Sequence, residues 1–320
     1  MSRKSYAFVL LFLTVSLFSI LFSTEKEISR IGLEEILSIG SLEDDILFQW
    51  AGVVVDPRGN IYVTDAMDYS LKKFDPQGNL LHKTGRRGQG PGEFMAPRLL
   101  DCWGGFIYVT DQHIPGIQVF DTDLNFKRRI TIRRPISDFR VLSESQIAVS
   151  TLHMKKAASI LVFNSKGKLV RSIRYTQEKM PLMMSMVSFE FDKQGHMYIA
   201  FTFQDRIEKY DQGGKKVWSE SLLNVRKTKK VKVSSYLVPD KIVYKDIALD
   251  IFENVFVLGG HFSKNESSDV YVVSPEGRYL TVFTLPHRSH CLYIDSRNFL
   301  YSRANDGVTL KKYKMHYSYQ

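Results

Sequence analysis

The side chains best suited to chemistry in this sequence are histidines in polar segments between short apolar runs. The candidate metal ligands are His113, His153, His261 and His290, and His287 stands close to the last of them. Neutral imidazole is a preferred ligand of zinc and similar divalent ions, so these residues would form a metal site if the fold brought them together. Histidine is also common in ordinary polar loops, and no compact spacing such as His-Glu-x-x-His ties these residues to one site. Both interpretations stay open.

Basic side chains form a second candidate site, one for anions. The formal net charge is +10, and removing Arg3 and Lys4 with residues 1–23 leaves about +8. The candidate ligand-binding residues are Arg86, Arg87, Arg226, Lys227, Lys229 and Lys230. A positive field attracts acidic proteins, acidic glycans, phospholipid headgroups or nucleic acid. Nucleic acid is disfavoured, because these segments lack the aromatic pattern that stacks on bases. A solvated loop without a partner is the alternative.

The glycine-rich segment Gly85–Gly92 is not expected to bind phosphate. A Walker loop needs Gly-Lys-Ser/Thr before a helix, and a dinucleotide fingerprint needs a βαβ unit, whereas this segment lies between two strand-like runs. The sequence also contains no Gly-x-Ser-x-Gly elbow and no carboxylate pair at a diagnostic spacing. It therefore supplies no recognisable nucleophile.

A repeated pattern of short strands must position these candidates. Its first copy contains the apolar runs Val53–Asp56, Ile61–Asp65, Leu71–Asp75 and Leu80–Lys83, separated by turns rich in Pro, Gly and Asn. Runs rich in Val, Ile, Tyr and Phe with such boundaries predict strands joined by hairpins. Five further copies begin near Leu99, Phe139, Phe189, Ile247 and Leu292. Four-stranded repeats of roughly 42 to 58 residues match the blades of a propeller.

The sixth copy lacks a fourth strand, because the tail Met315–Gln320 is too short and polar to supply one. The segment Leu33–Gly40 resembles the fourth strands of the other copies. We expect it to pair with the last copy and remove the open edges of the ring. The predicted fold is all-β: a six-bladed β-propeller of four-stranded blades, closed by an N-terminal strand that pairs with the last blade.

An aspartate recurs near the end of the first strand in most copies. These residues are Asp56, Asp101, Asp192, Asp250 and Asp295. Aspartate at a strand end accepts hydrogen bonds from turn amides, so we interpret all of them as structural.

Two copies carry strings that resemble a known family. The segment Gly85–Phe94, followed by Pro97, and the strings Ile-Tyr-Val-Thr-Asp and Gln-Val-Phe-Asp are similar to NHL-repeat six-bladed propellers, here of a bacterial exported type. The resemblance is specific for these two copies and looser over about residues 30–314. It implies the fold more than the function, because such propellers include enzymes, RNA binders and exported proteins without assigned activity. NHL-like amidating lyases place a metal at the propeller mouth, which keeps a divalent metal open as a cofactor.

In a propeller, the loops between the second and third strands of each blade and the loops between blades lie on one face, around the channel mouth. The candidate histidines and basic segments both fall on this loop-rich face. We expect a non-enzymatic ligand- or protein-binding module that acts through the loop-rich basic face. The alternative is a metal-dependent lyase or hydrolase with a histidine site at the channel mouth. The expected partner is a protein or an anionic ligand, and the expected state is a monomer.

Residues 1–24 have the pattern of an export segment, and residues 25–320 form the predicted propeller. Arg3 and Lys4 precede an uncharged apolar run, Tyr6–Phe22, which is shorter than the roughly 20 residues of a comfortable membrane span. A cleaved signal peptide is favoured over an uncleaved anchor. The protein is therefore expected to be exported, periplasmic or extracellular, and to touch a membrane only through this segment. Cys102 and Cys291 fall in different copies and are expected to be unpaired.

Overall fold

The computed structural model describes residues 27–151, 159–175, 186–225, 227–233, 236–260, 267–304 and 306–320. Every regular element in these ranges is a β-strand. They contain no helix long and apolar enough to cross a membrane. The predicted export segment lies outside the described residues, as do His153, His261 and Arg226.

The strands form six four-stranded antiparallel sheets, as predicted. The first strand, β1 (Ile28–Ile39), belongs to the last sheet. Blade 1 comprises β2 (Trp50–Val55), β3 (Ile61–Asp65), β4 (Ser70–Phe74) and β5 (Leu80–Thr84). Blade 2 comprises β6 (Pro97–Trp103), β7 (Phe106–Asp111), β8 (Ile117–Asp121) and β9 (Phe126–Ile130). Blade 3 comprises β10 (Ile136–Ser143), β11 (Gln146–Thr151), β12 (Ser159–Asn164) and β13 (Leu169–Arg174).

The second half of the ring repeats this plan and adds a small hairpin. Blade 4 comprises β14 (Val187–Phe191), β15 (Met197–Phe201), β16 (Ile207–Tyr210) and β17 (Lys216–Glu220). A two-stranded hairpin follows, β18 (Lys230–Val233) and β19 (Tyr236–Pro239). Blade 5 comprises β20 (Tyr244–Leu249), β21 (Val255–Gly259), β22 (Asp269–Val273) and β23 (Tyr279–Thr284). Blade 6 comprises β24 (Leu292–Ile294), β25 (Phe299–Arg303) and β26 (Leu310–Tyr319), with β1 as its fourth strand.

The N-terminal strand closes the ring, as the sequence predicted. In the β1–β26 ladder Leu33 lies opposite Met315, and Ile39 lies opposite Leu310. The tail from Met315 supplies no fourth strand, as predicted; it extends the third strand, β26, to Tyr319 and pairs with the start of β1. Apolar packing also closes the ring, because Ile39 and Tyr301 belong to one buried cluster with side chains of blade 1. The last blade therefore contains both the first and the last described strands.

Aspartate turns set the ends of the inner strands. In blade 1 an oxygen of Asp56 accepts a hydrogen bond from the Asn60 amide at 2.9 Å, and Gly59 adopts a positive φ of 92° that the turn requires. Similar turns form at Asp192, Asp250 and Asp295. These four aspartates therefore have the structural role that was predicted for them.

Asp101 is the exception, and its predicted turn role is wrong. It lies one strand position before Cys102, which pairs with Ile107, whereas Val55 pairs with Ile61 at the matching position in blade 1. Asp101 therefore matches Val54 rather than Asp56. Its side chain accepts a hydrogen bond from the Val141 amide of blade 3 at 2.6 Å, so it joins two blades instead of closing a turn.

Candidate functional site at the channel mouth

The first strands of neighbouring blades contact one another around a central channel. A cavity of about 530 Å³ occupies this channel and is lined by residues from the first strands of all six blades. Each first strand starts at the loop-rich face and ends at a tight turn on the opposite face, which is an aspartate turn in blades 1, 4, 5 and 6. Residues near the start of these strands therefore lie at the loop-face mouth of the cavity, and later residues lie deeper.

Strand pairing divides the lining side chains into levels. Asp101, Arg140 and Glu190 occupy the same position in three consecutive blades. Their partners in the neighbouring strand are Tyr108, Ala148 and Tyr198 respectively. Asp138 and Asp246 lie two residues earlier in the repeat, closer to the loop-rich face. Because side chains alternate along a strand, both levels face the axis.

Arg140 holds the deeper level together. Its Nη1 donates to Asp138 Oδ1 at 2.8 Å, and its Nε donates to Glu190 Oε2 at 2.7 Å. Burial acts to lower the pKa of Arg140, but the surrounding carboxylates outweigh burial and raise the pKa well above its ordinary value. Arg140 therefore stays charged and links blade 3 to blade 4.

Asp138 and Asp246 also tie one blade to the next, because each accepts a hydrogen bond from a backbone amide of the following blade. Asp138 Oδ2 accepts from the Phe189 amide at 3.1 Å, and Asp246 Oδ2 accepts from the Leu292 amide at 2.8 Å. Burial raises the pKa of Asp101 to about 7 and that of Asp246 to about 7. At neutral pH these two carboxyl groups are therefore partly protonated, which reduces the negative charge of the cavity floor.

Basic side chains surround the mouth above this floor. Arg98, Lys245, His290 and Arg303 line the cavity. Lys245 Nζ donates to the carbonyls of Ser267 at 3.0 Å and Ser289 at 2.8 Å, which fixes its position between two loops. The mouth is thus basic, while the carboxylates below it are engaged with Arg140 and with backbone amides.

The two cysteines also line the cavity, and both are free thiols, as predicted. Burial raises the pKa of Cys102 to about 12 and raises that of Cys291 above its ordinary value. Neither thiol is therefore a reactive thiolate at neutral pH.

The described histidines do not converge. His290 lines the cavity, but His113 is an exposed residue of the β7–β8 loop and is absent from the lining. His287 is a bridge within blade 6: its Nε2 lies 2.9 Å from Ser302 Oγ, and its Nδ1 lies 3.2 Å from the hydroxyl of Tyr313. Within the ranges that the structure describes, no group of three or more His, Cys, Asp and Glu side chains is arranged to hold a metal.

The cavity lining contains none of Arg86, Arg87, Lys227 and Lys229, the predicted basic residues whose side chains the structure describes. Arg86 pairs with Glu93 at 2.7 Å, and the guanidinium of Arg87 lies 5.8 Å from the ring centre of Tyr69. Both belong to the loop between blades 1 and 2, where Glu93 also accepts from the Gly90 amide at 2.8 Å. This segment is thus an ordered interblade loop, as predicted, with its own internal ion pair.

The lysine-rich segment lies at the junction of blades 4 and 5. Lys227 and Lys229 are exposed, and the backbone of Lys229 pairs with Asp240 at the base of the β18–β19 hairpin. Lys230 begins β18. In a ring of six blades this junction is opposite the loop that carries Arg86 and Arg87, so the structure does not bring the two basic groups together.

Of the charged residues and histidines that line the channel, sequence reasoning proposed a site role only for His290. A signal was present, because Asp138 and Arg140 are charged residues two apart in an otherwise apolar strand, and Glu190 and Asp246 occupy similar strands. Charges at alternate positions of a first strand mark the side that faces the channel. Arg98 and Arg303, at the ends of β6 and β25, are not part of such an alternating pattern. Only the folded ring shows that they line the cavity.

Comparison with known proteins supports the fold. A family model described as DUF5128, a 6-bladed beta-propeller, matches residues 27–99. No curated protein matched the sequence. Among solved structures, a member of the DUF4221 family from Bacteroides vulgatus is 13% identical, with 91% of this chain and 99% of that chain covered and a TM-score of 0.62.

Two further structures show the same likeness. A protein from Bacteroides fragilis is 10% identical over 92% of this chain and 98% of its own, with a TM-score of 0.61. Virginiamycin B lyase from Staphylococcus aureus is 11% identical over 89% of this chain and 99% of its own, with a TM-score of 0.55. At these identities the likeness concerns the fold alone. The chain is a six-bladed β-propeller.

Proposed function

We propose that this propeller is a binding module that takes an anionic ligand at the loop-face mouth of its channel. The observation that carries the proposal is the cavity of about 530 Å³, whose mouth is lined by Arg98, Lys245, His290 and Arg303. Cavities of this size with a few convergent polar groups are typical small-ligand sites.

The charge distribution favours an anion over a cation. The carboxylates that line the channel are occupied: Asp138 and Glu190 bind Arg140, and Asp246 binds a backbone amide. The raised pKa of Asp101 and Asp246, about 7 for each, further lowers the negative charge below the mouth. Positive charge at the mouth therefore dominates the field that an entering ligand meets.

Citrate is a suitable probe, because its three carboxylates can meet the cationic groups of the mouth. Arg98 and Arg87 are both exposed arginines of the loop-rich face, but only Arg98 lines the cavity. We expect Arg98→Gln to weaken citrate binding about 10-fold, since a charge-assisted hydrogen bond contributes about 1.5–3 kcal/mol. Arg87→Gln, the matched control, is expected to change it less than about 2-fold.

Titration calorimetry at two ionic strengths measures both effects. Equal weakening in the two variants would indicate that citrate binds a diffuse basic face rather than the cavity. That is the broader form of the proposal, which includes Arg86, Lys227 and Lys229. Citrate binding that does not weaken as salt rises would contradict the electrostatic basis of the proposal.

The remaining expectations from the sequence belong to the same proposal. The NHL-repeat resemblance is supported by the sequence strings of blades 1 and 2. No arrangement of the described residues supports the metal-dependent lyase or hydrolase. Export is supported by the apolar run Tyr6–Phe22. Fractionation of cells that express residues 1–320 or 25–320 tests it: the full chain is expected outside the cytoplasm and the truncated chain inside it.

A further inference from the structure

The face opposite the loops carries a repeated arrangement of an aspartate and a tyrosine. In blade 1 the Tyr62 hydroxyl donates to Asp56 Oδ2 at 3.1 Å. The same bond joins Tyr198 to Asp192 at 3.2 Å in blade 4. It joins Tyr301 to Asp295 at 3.0 Å in blade 6. A buried tyrosine hydroxyl thus meets a turn carboxylate in three blades.

A lysine of the third strand completes each arrangement. The ammonium groups of Lys73, Lys209 and Lys312 lie 5.9, 4.9 and 5.5 Å from the ring centres of the tyrosines in their own blades. Each lysine lies directly opposite its tyrosine in the strand ladder. The surroundings of the tyrosine therefore combine one cation with one carboxylate.

Blade 2 keeps the tyrosine but has lost the carboxylate. Tyr108 occupies the position of Tyr62, yet Trp103 stands where blade 1 has Asp56. The reason is the turn: Gly104 and Gly105 both have positive φ, 59° and 79°, as a tight two-residue hairpin requires. This hairpin replaces the longer aspartate turn.

The Tyr108 hydroxyl consequently has no hydrogen-bond partner among the described residues, although the side chain is only 1% exposed. Leaving a buried hydroxyl unpaired costs about 1–3 kcal/mol. A cation is also present here, because Val119 lies opposite Tyr108 and Arg128 lies opposite Val119, on the same side of the sheet. The Nε of Arg128 is likewise buried and unpartnered in the described part of the chain.

An open groove of about 540 Å³ lies beside these two groups, between blades 2 and 3. It is lined by Trp103, Arg128, Ser143, Glu144, Ser145, Ser165 and Lys166. In blade 1 the Tyr62 hydroxyl also reaches the Thr122 carbonyl, in the turn between the third and fourth strands of the next blade. Ser165 and Lys166 form the corresponding turn for Tyr108. Arg128 thus lines the groove, whereas the Tyr108 hydroxyl is buried and, by analogy with Tyr62, lies next to the turn that forms the groove wall.

We propose that this groove binds a carboxylate group, which takes the place that the turn aspartate fills in blades 1, 4 and 6. The Tyr108 hydroxyl and Arg128 Nε donate to it, and Lys166 adds positive charge at the rim. A carboxylate is favoured over a phosphate because the equivalent position holds an aspartate carboxylate in blades 1, 4 and 6. The ligand is either a small free acid or an acidic side chain of a partner protein.

Acetate is the first probe, compared with chloride at equal ionic strength by thermal unfolding and calorimetry. We expect acetate to raise the unfolding midpoint of the wild type. Tyr108→Phe removes only the hydroxyl and is expected to weaken acetate binding about 10-fold, and Arg128→Gln by a similar factor. Tyr62→Phe is the matched control, because its hydroxyl already bonds Asp56, and it is expected to bind acetate like the wild type.

Two further variants test the position of the ligand. Trp103→Asp places a carboxylate where blade 1 has Asp56 and is expected to abolish acetate binding. Glu144→Gln removes a negative charge from the groove and is expected to strengthen it. A wild type that responds equally to acetate and chloride, or a Tyr108→Phe variant that binds acetate as the wild type does, overturns the proposal.

A pair of peptides distinguishes the two sources of the carboxylate. One peptide has a single glutamate between glycines with both ends blocked, and the other has glutamine in its place. Tighter binding of the glutamate peptide than of acetate indicates a protein partner, whereas equal affinity indicates a small acid. Either result requires the loss of binding in Tyr108→Phe.

Discussion

Arg140→Met is the sharpest perturbation of the channel floor. The guanidinium makes two ion pairs, at 2.8 Å to Asp138 and 2.7 Å to Glu190, and its side chain is only 19% exposed. Removing one partner of a buried ion pair leaves uncompensated charge and costs about 3–5 kcal/mol. We expect the free energy of unfolding to fall by about this amount at pH 7, measured by urea denaturation with tryptophan fluorescence.

The cost in Arg140→Met should also depend on pH. Burial already raises the pKa of Glu190 above its ordinary value, and the neighbouring Arg140 cation opposes that rise. Without the cation the pKa of Glu190 rises further, so this carboxyl group is protonated more readily in the folded protein. The penalty is then small at pH 5 and grows as pH rises toward 8. Arg171→Met, an exposed control whose Nη1 donates to the Gln212 carbonyl, is expected to cost less than about 1 kcal/mol. A deficit below about 1 kcal/mol for Arg140→Met, or one that is the same at pH 5 and pH 8, would refute the reasoning.

Three other predictions follow from the same structure. The pKa of Asp246, about 7 in the folded protein, lies above its ordinary value, so this carboxyl group destabilises the fold as pH rises. Asp246→Asn should therefore lose about 2 kcal/mol less than the wild type between pH 5 and pH 7 in urea titrations; an identical pH profile would contradict this. Deleting residues 25–39 removes β1 and exposes the edge of β26, and size-exclusion chromatography should show aggregates instead of a monomer. Elemental analysis of residues 25–320 should find no stoichiometric metal, whereas a metal that is lost in His113→Ala and His290→Ala would favour the lyase or hydrolase.

The fold could be predicted because its signals are local. Alternating apolar strands and aspartate turns recur in almost every copy, and these determine strands without reference to distant residues. The closing strand was also predictable, since the last copy lacked its fourth strand. The β18–β19 hairpin was not, because Lys230–Val233 and Tyr236–Pro239 follow a lysine-rich segment that has the composition of a loop.

The candidate site was harder to predict because it depends on register and on the closed ring. Asp101 was interpreted as a turn residue, but the two-glycine hairpin shifts the strand so that its side chain reaches blade 3. A shift of this kind changes which side chains face the channel. Arg98 and Arg303 are distant in sequence, and only the meeting of blades 2 and 6 around one channel places both beside the cavity.

Hydrogen–deuterium exchange with and without citrate tests the central claim most directly. If the channel mouth is the binding site, citrate should slow exchange in peptides that contain Arg98, Lys245 and residues 289–292, and this protection should be lost in Arg98→Gln. Protection confined to the interblade segments 85–94 and 227–233 would contradict the account and return the binding site to the outer basic loops.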